Sequence, residues 1–176
     1  MSSATANADY QKGWDAYNAN DYATALRELR PLADQGDADA QKALGWMYKY
    51  AAAVPQDDVE AYKWFRLSAD QGNASAQYNL GLMYDYGRGV VKDDVEAVKW
   101  YRLAADQGYS LAQSYLGNKY ATGKGVPQDD VEAYKWYNLA ATEGYRTDEL
   151  DKMRVAKKMT KQQIAEGQRL SREWFN

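Results

Sequence analysis

Apolar residues along this chain recur three and four apart and rarely alternate, which is the spacing of helices that bury one face. From Asp57 to about Gln71, Val59, Ala61 or Tyr62, Phe65, Leu67 and Ala69 fall near one side of a helix. Ala76, Leu80, Gly81 and Tyr84 do the same in the next segment. Asp57 followed three residues later by Glu60 is a capping-box-like start, repeated as Asp93/Glu96 and Asp129/Glu132. Gly72, Gly108 and Gly144 stand where a helix turns left-handed to stop, and Gly87-Arg88-Gly89 ends the second segment. The pattern predicts helix throughout and no sheet.

The helical pattern repeats. Residues 54–89 and 90–125 align without gaps, and 21 of the 36 paired positions are identical. A third copy begins at Val126, and a weaker one covers residues 22–53, with ADQG at 33–36 and AQKALGWMY at 40–48. One helical hairpin cannot bury its apolar stripe alone, whereas stacked hairpins can. The expected fold is therefore all-α: a right-handed solenoid of helix-turn-helix repeats with a 36-residue period and a C-terminal capping helix. Residues 1–6 read as a flexible tail, and 7–176 as one domain of about four repeats plus the cap. Asn7–Asn18 would cap the front. Thr147–Lys157 would form a degenerate helix with Leu150 and Met153 inward. Thr160 and Gln163 would open the last helix as a capping box, with Ile164, Gly167, Leu170 and Trp174 on its covering face.

The recurring residues Ala76, Leu80, Gly81, Tyr84, Gly87, Gly89, Val90, Asp93 or Asp94, Ala97, Trp100, Tyr101, Ala104, Ala105 and Gly108 resemble the Sel-one-like repeat family, relatives of the tetratricopeptide repeats. The likeness covers roughly residues 8–145, and the closing MTKQQIAEGQRLSREW looks like the terminal helix of bacterial members. The resemblance implies an α-solenoid that acts as an adaptor in protein complexes. One cysteine-rich branch of the family resembles binders of penicillin-like compounds. This chain has no cysteine, so that activity is not carried over. The first repeat departs from the pattern: Ala51 and Ala53 replace the glycines found at 87 and 89. Alanine tolerates left-handed backbone poorly, so this connection is expected to differ from the others, or its helix to run on past Tyr50.

Composition narrows the function. The chain lacks Cys and His, which removes disulfides, thiolate zinc and His-based acid–base chemistry. No metal or cofactor is expected. A net charge of −3 gives no basic stripe for nucleic acid, and nothing is long and apolar enough to insert in a membrane. The N-terminus carries no secretory signal. The protein would be periplasmic or secreted if a signal had been removed, and otherwise cytoplasmic. A monomer is favoured. Sixteen Tyr and six Trp against two Phe suit surfaces as well as cores.

Trp64, Trp100 and Trp136 lie one period apart and read as repeated core packing rather than a ligand ladder. The Asp-Asp-x-Glu clusters read as helix caps rather than catalytic pairs, and the Gly-basic-Gly turns as turns rather than phosphate loops. The candidate binding face comes from the first helix of each pair, where residues vary between copies. Tyr10, Trp14, Tyr17, Lys42, Trp46, Lys49, Tyr50, Tyr78, Leu82, Asp85, Tyr86 and Asn118 are its members. The aromatics would anchor a peptide or protein segment in a concave groove, and Lys42, Lys49 and Asp85 would orient it. The rival expectations are a hydrolase or binder acting on a cell-wall or β-lactam-type ligand, and a purely structural assembly protein.

Overall fold

The computed structural model describes residues 3–143 and 146–174, and among these there is helix and no strand. The helices are α1 (Ser3–Asn18), α2 (Tyr22–Asp34), α3 (Ala38–Lys49), α4 (Asp58–Asp70), α5 (Ala74–Tyr86), α6 (Asp94–Asp106), α7 (Ser110–Thr122), α8 (Asp130–Ala140), α9 (Arg146–Ala156) and α10 (Lys161–Glu173). A 3₁₀ turn, Ala141–Glu143, follows α8. The chain forms two compact units, residues 1–92 and 93–176. In the first, α1 packs on α2, α2 on α3, α3 on α4 and α4 on α5. In the second, α6 packs on α7, α7 on α8, and both α9 and α10 on α8. Helix α1 begins at Ser3, ahead of the expected Asn7.

The aspartate clusters are caps. Asp57 accepts hydrogen bonds from the backbone N–H groups of Val59 and Glu60, and Asp93 and Asp129 do the same one and two periods later. The following glutamates do not complete a reciprocal box. Glu60, Glu96 and Glu132 pair instead with Lys63, Lys99 and Lys135 one turn along. Among the described residues, the full reciprocal box forms only where α10 starts: Gln163 N–H donates to Thr160 Oγ1, and Thr160 N–H donates to Gln163 Oε1. Gly72 and Gly108 end their helices at φ 91° and 84°. Gly144 lies outside the described residues.

The repeat glycines let paired helices touch. A Cβ on Gly45 would sit 2.6 Å from the Phe65 ring, and one on Gly117 would sit 2.9 Å from Tyr137. Leu29, Leu44, Met47, Phe65, Leu80 and Met83 are buried in the first unit, and Tyr101, Leu116, Trp136, Tyr137 and Leu139 in the second. Trp64, Trp100 and Trp136 are buried as well, so the periodic tryptophans are core. A buried glutamine recurs beside them. The Nε2 groups of Gln41, Gln77 and Gln113 donate to the carbonyls of Ala33, Ala69 and Ala105 at 3.1, 3.2 and 3.2 Å, tying each first helix to the helix before it.

Two further sequence expectations fail. The Ala51–Ala53 turn follows the same path as the glycine turns, with φ 56° and 61° against 66° and 67° at Gly87 and Gly89. The closing bond is the same too: Ala52 N–H donates to Met47 O, as Arg88 N–H does to Met83 O. Helix α3 does not run on; it stops at Lys49. Ala52 is buried in the core, whereas Arg88 and Lys124 at its place are exposed, so burial of the turn's centre holds the two flanking alanines left-handed. The second failure is in α9. Leu150 and Met153 are half-exposed, and Val155 is the residue turned inward. One period back from Val155 stand Lys119, Met83 and Met47, all buried, whereas Met153 falls on the repeat-glycine position of Gly117.

Candidate functional site

The candidate residues divide between the two units. Eleven of the twelve lie on α1, on α3 and its cap residue Tyr50, and on α5, in the first unit; Asn118 is exposed on α7 in the second. Within the first unit they form two joined clusters.

The first cluster is a stack of rings. Tyr10, Trp14 and Tyr17 follow one face of α1. Tyr10 and Trp14 are 6.4 Å apart and nearly parallel, and Trp14 and Tyr17 are 5.4 Å apart and likewise parallel. Trp46 of α3 tilts against Trp14 at 5.9 Å. Tyr22, at the start of α2, closes the row edge-on to Tyr17 at 5.4 Å. Lys42 Nζ lies 6.0 Å from the Trp14 ring and 5.7 Å from the Trp46 ring, within cation–π range, while it pairs with Asp39 at 2.6 Å. Burial, with the Asp39 and Asp37 carboxylates beside it, pushes the Tyr10 phenol up to about 12. Burial, then Tyr22 and Tyr50, raises Tyr17. Both phenols therefore stay protonated hydrogen-bond donors well into alkaline pH.

The second cluster joins α3 to α5. Lys49 Nζ donates to Asn79 Oδ1 at 3.0 Å and sits 5.2 Å from the Tyr50 ring. Asn79 in turn donates to Ser75 O, and Asn73 donates to Asp39 at 3.0 Å. Tyr50 and Tyr86, one period apart, are 64% and 60% exposed. Tyr78, Leu82 and Asp85 on α5 are half-buried. The cations thus hold the aromatic face together and are not idle. Sequence reasoning missed Asn79 and Tyr22 as groups that fix it. Asn79 stands one period from Ala43, a core position, so its reach to Lys49 had no signal in the sequence.

Other chemistry is sparse. Among the described residues no three acidic side chains gather as a metal site, and no helix is long and apolar enough to cross a membrane. The displaced carboxylates Asp21, Glu28 and Glu166 are all lowered, chiefly by hydrogen bonds from Thr24, Lys12 and Arg169.

The chain matches the Sel1 repeat model three times, over residues 38–73, 74–109 and 110–145. It is similar to a Sel1 repeat protein from Oxalobacter formigenes, with 36% identity and a TM-score of 0.78, over 81% of this chain and 59% of that one. It is also similar to a protective antigen of uropathogenic Escherichia coli strains that displays an SLR fold, with 28% identity and a TM-score of 0.67. That match takes in 96% of this chain and 45% of the antigen. The chain thus spans about half the length of these relatives. A search of the curated proteins finds no match.

Proposed function

Because the chain belongs to the Sel1 repeat family, we propose that it is a non-catalytic scaffold that binds a segment of a partner protein across α1, α3 and α5. Repeats of this family commonly serve as protein-interaction scaffolds. The observation that carries the reading is the aromatic face: rings stacked from Tyr10 through Trp46 on α1 and α3, with Tyr50 and Tyr86, one period apart, left largely exposed. Rigid rings add contact area at low entropic cost, and their hydroxyls and indole N–H groups give a partner's backbone something to bond. Lys42 and Lys49, already paired, act by fixing the rings rather than by reaching for a ligand. Absence of His and Cys favours binding over hydrolysis.

The test is to select peptides from a displayed library on the full chain and measure their affinity for the Trp46→Ala protein and for the Tyr50→Ala/Tyr86→Ala protein. Each variant should bind about tenfold or more weakly, as loss of an aromatic anchor does. Selected peptides that bind both variants as tightly as the parent would place the site elsewhere and remove the proposal.

A further inference from the structure

Residues 54–64 and 126–136 are the same eleven amino acids, VPQDDVEAYKW, and each run opens an outer helix, α4 and α8 respectively. Their surroundings differ. On α4, Val59 and Leu67 are 50% and 49% exposed, and the Lys63 side chain is 59% exposed. On α8 the same positions are shielded: Val131 is half-buried, the Lys135 side chain is 15% exposed and Leu139 is 1% exposed. The cover is α10, helped by α9.

The fit of α10 is specific. Gly167 rests on the aromatic of the stripe, and a Cβ there would lie 2.8 Å from Tyr134 Cδ1 and 3.4 Å from Val131 O. One turn on, Ser171 is buried and its Oγ donates to Gly167 O at 2.8 Å, lying 3.4 Å from Lys135 O. Gln168 Nε2 reaches Tyr134 Oη at 3.4 Å. Two small residues one turn apart let the backbones approach, and Ile164, Leu170 and Trp174 are half-buried around them. Tyr62 holds the place of Tyr134 on α4, half-buried with its hydroxyl 2.9 Å from that of Tyr84.

We propose that the Val59–Tyr62–Lys63–Leu67 stripe of α4 docks an amphipathic helix of another protein that carries α10's signature, two small residues four apart between aliphatic positions. The molecule itself shows the occupant, since the same stripe on α8 holds such a helix. Covering two half-exposed aliphatic side chains supplies the apolar gain, and the mode is a helix laid by its apolar face on a hydrophobic surface. This surface is separate from the aromatic face of α1, α3 and α5, and it stands or falls independently of it.

The probe is a labelled synthetic peptide of residues 158–176, titrated into the full chain by fluorescence anisotropy. Saturable binding is expected, weakened about tenfold or more by Leu67→Asp or Val59→Asp in the protein, with helical circular dichroism unchanged because both side chains are exposed. A Gly167→Leu peptide should not bind, because its side chain would strike Tyr62. Three results would overturn the proposal. One is no binding at about 1 mM peptide. Another is binding indifferent to Leu67→Asp, which would place the peptide off α4, either on α8 in place of α10 or on α6, where Val95 and Leu103 are exposed. The last is doubling of the protein's own mass in sedimentation, abolished by Leu67→Asp, which would make the occupant a second copy.

Discussion

At the scale of single residues, the turn at 51–53 is where chemistry and conformation disagree. Two alanines hold φ near 60° beside a buried Ala52, a conformation that costs about 1–2 kcal/mol per non-glycine residue. Glycine would relieve that strain but loses about 0.5–1 kcal/mol to the entropy of the unfolded chain. Ala51→Gly and Ala53→Gly should therefore each stabilise by roughly 0.5–1 kcal/mol, seen as a higher urea midpoint with an unchanged slope. A lower midpoint for both would show that the turn is not strained. The reverse change at Gly89 is a different matter. A Cβ there would stand 2.1 Å from Asp58 O, so the second turn needs glycine for space as well as for φ. Ala53 is exposed, and that is why a methyl is accepted at one copy and not at the other.

At the scale of helices, Trp46 and Trp100 separate the aromatic face from the core. Trp46 is half-buried against Trp14 and Lys42, whereas Trp100 is 8% exposed. Trp100→Ala should cost about 3–5 kcal/mol of stability and Trp46→Ala clearly less, about 1–2, since only part of its surface is shielded. Thermal melting of the two proteins checks the order, and a reversed order would mean that the faces have been exchanged. Most of this assignment was legible in the sequence, because Asp caps and helix glycines recur in phase and fix the face of each helix. It failed in α9 for a physical reason. Leu150 and Met153 are three apart and mark one face, but without a glycine or an alanine-rich run nothing says which way that face turns. Only register with Met47, Met83 and Lys119 singles out Val155 as the inward residue. The ring members of the aromatic face were legible for the same reason as the caps. Of the polar groups that lock them, Asp39 pairs with Lys42 inside α3, and Asn79 acts between repeats and leaves no period of its own.

At the scale of the whole chain, a repeat architecture couples each repeat chiefly to its neighbours, so effects of substitution should stay local. The variation among copies is therefore where individuality resides, and the turns between helices show it plainly. Two turns present a basic residue to solvent between left-handed glycines, Arg88 and Lys124, while the first hides an alanine at that place. Proteases cut exposed loop tips far faster than helices. Brief trypsin digestion of the native protein should thus open the chain early after Arg88 and Lys124, and at the exposed Lys157 and Lys158 beyond α9, with no early product that ends between residues 50 and 57. Mass spectrometry of the first fragments reads this directly. To an enzyme that recognises only a cation in an open turn, the first repeat does not exist, and the chain is punctuated from its second repeat onward.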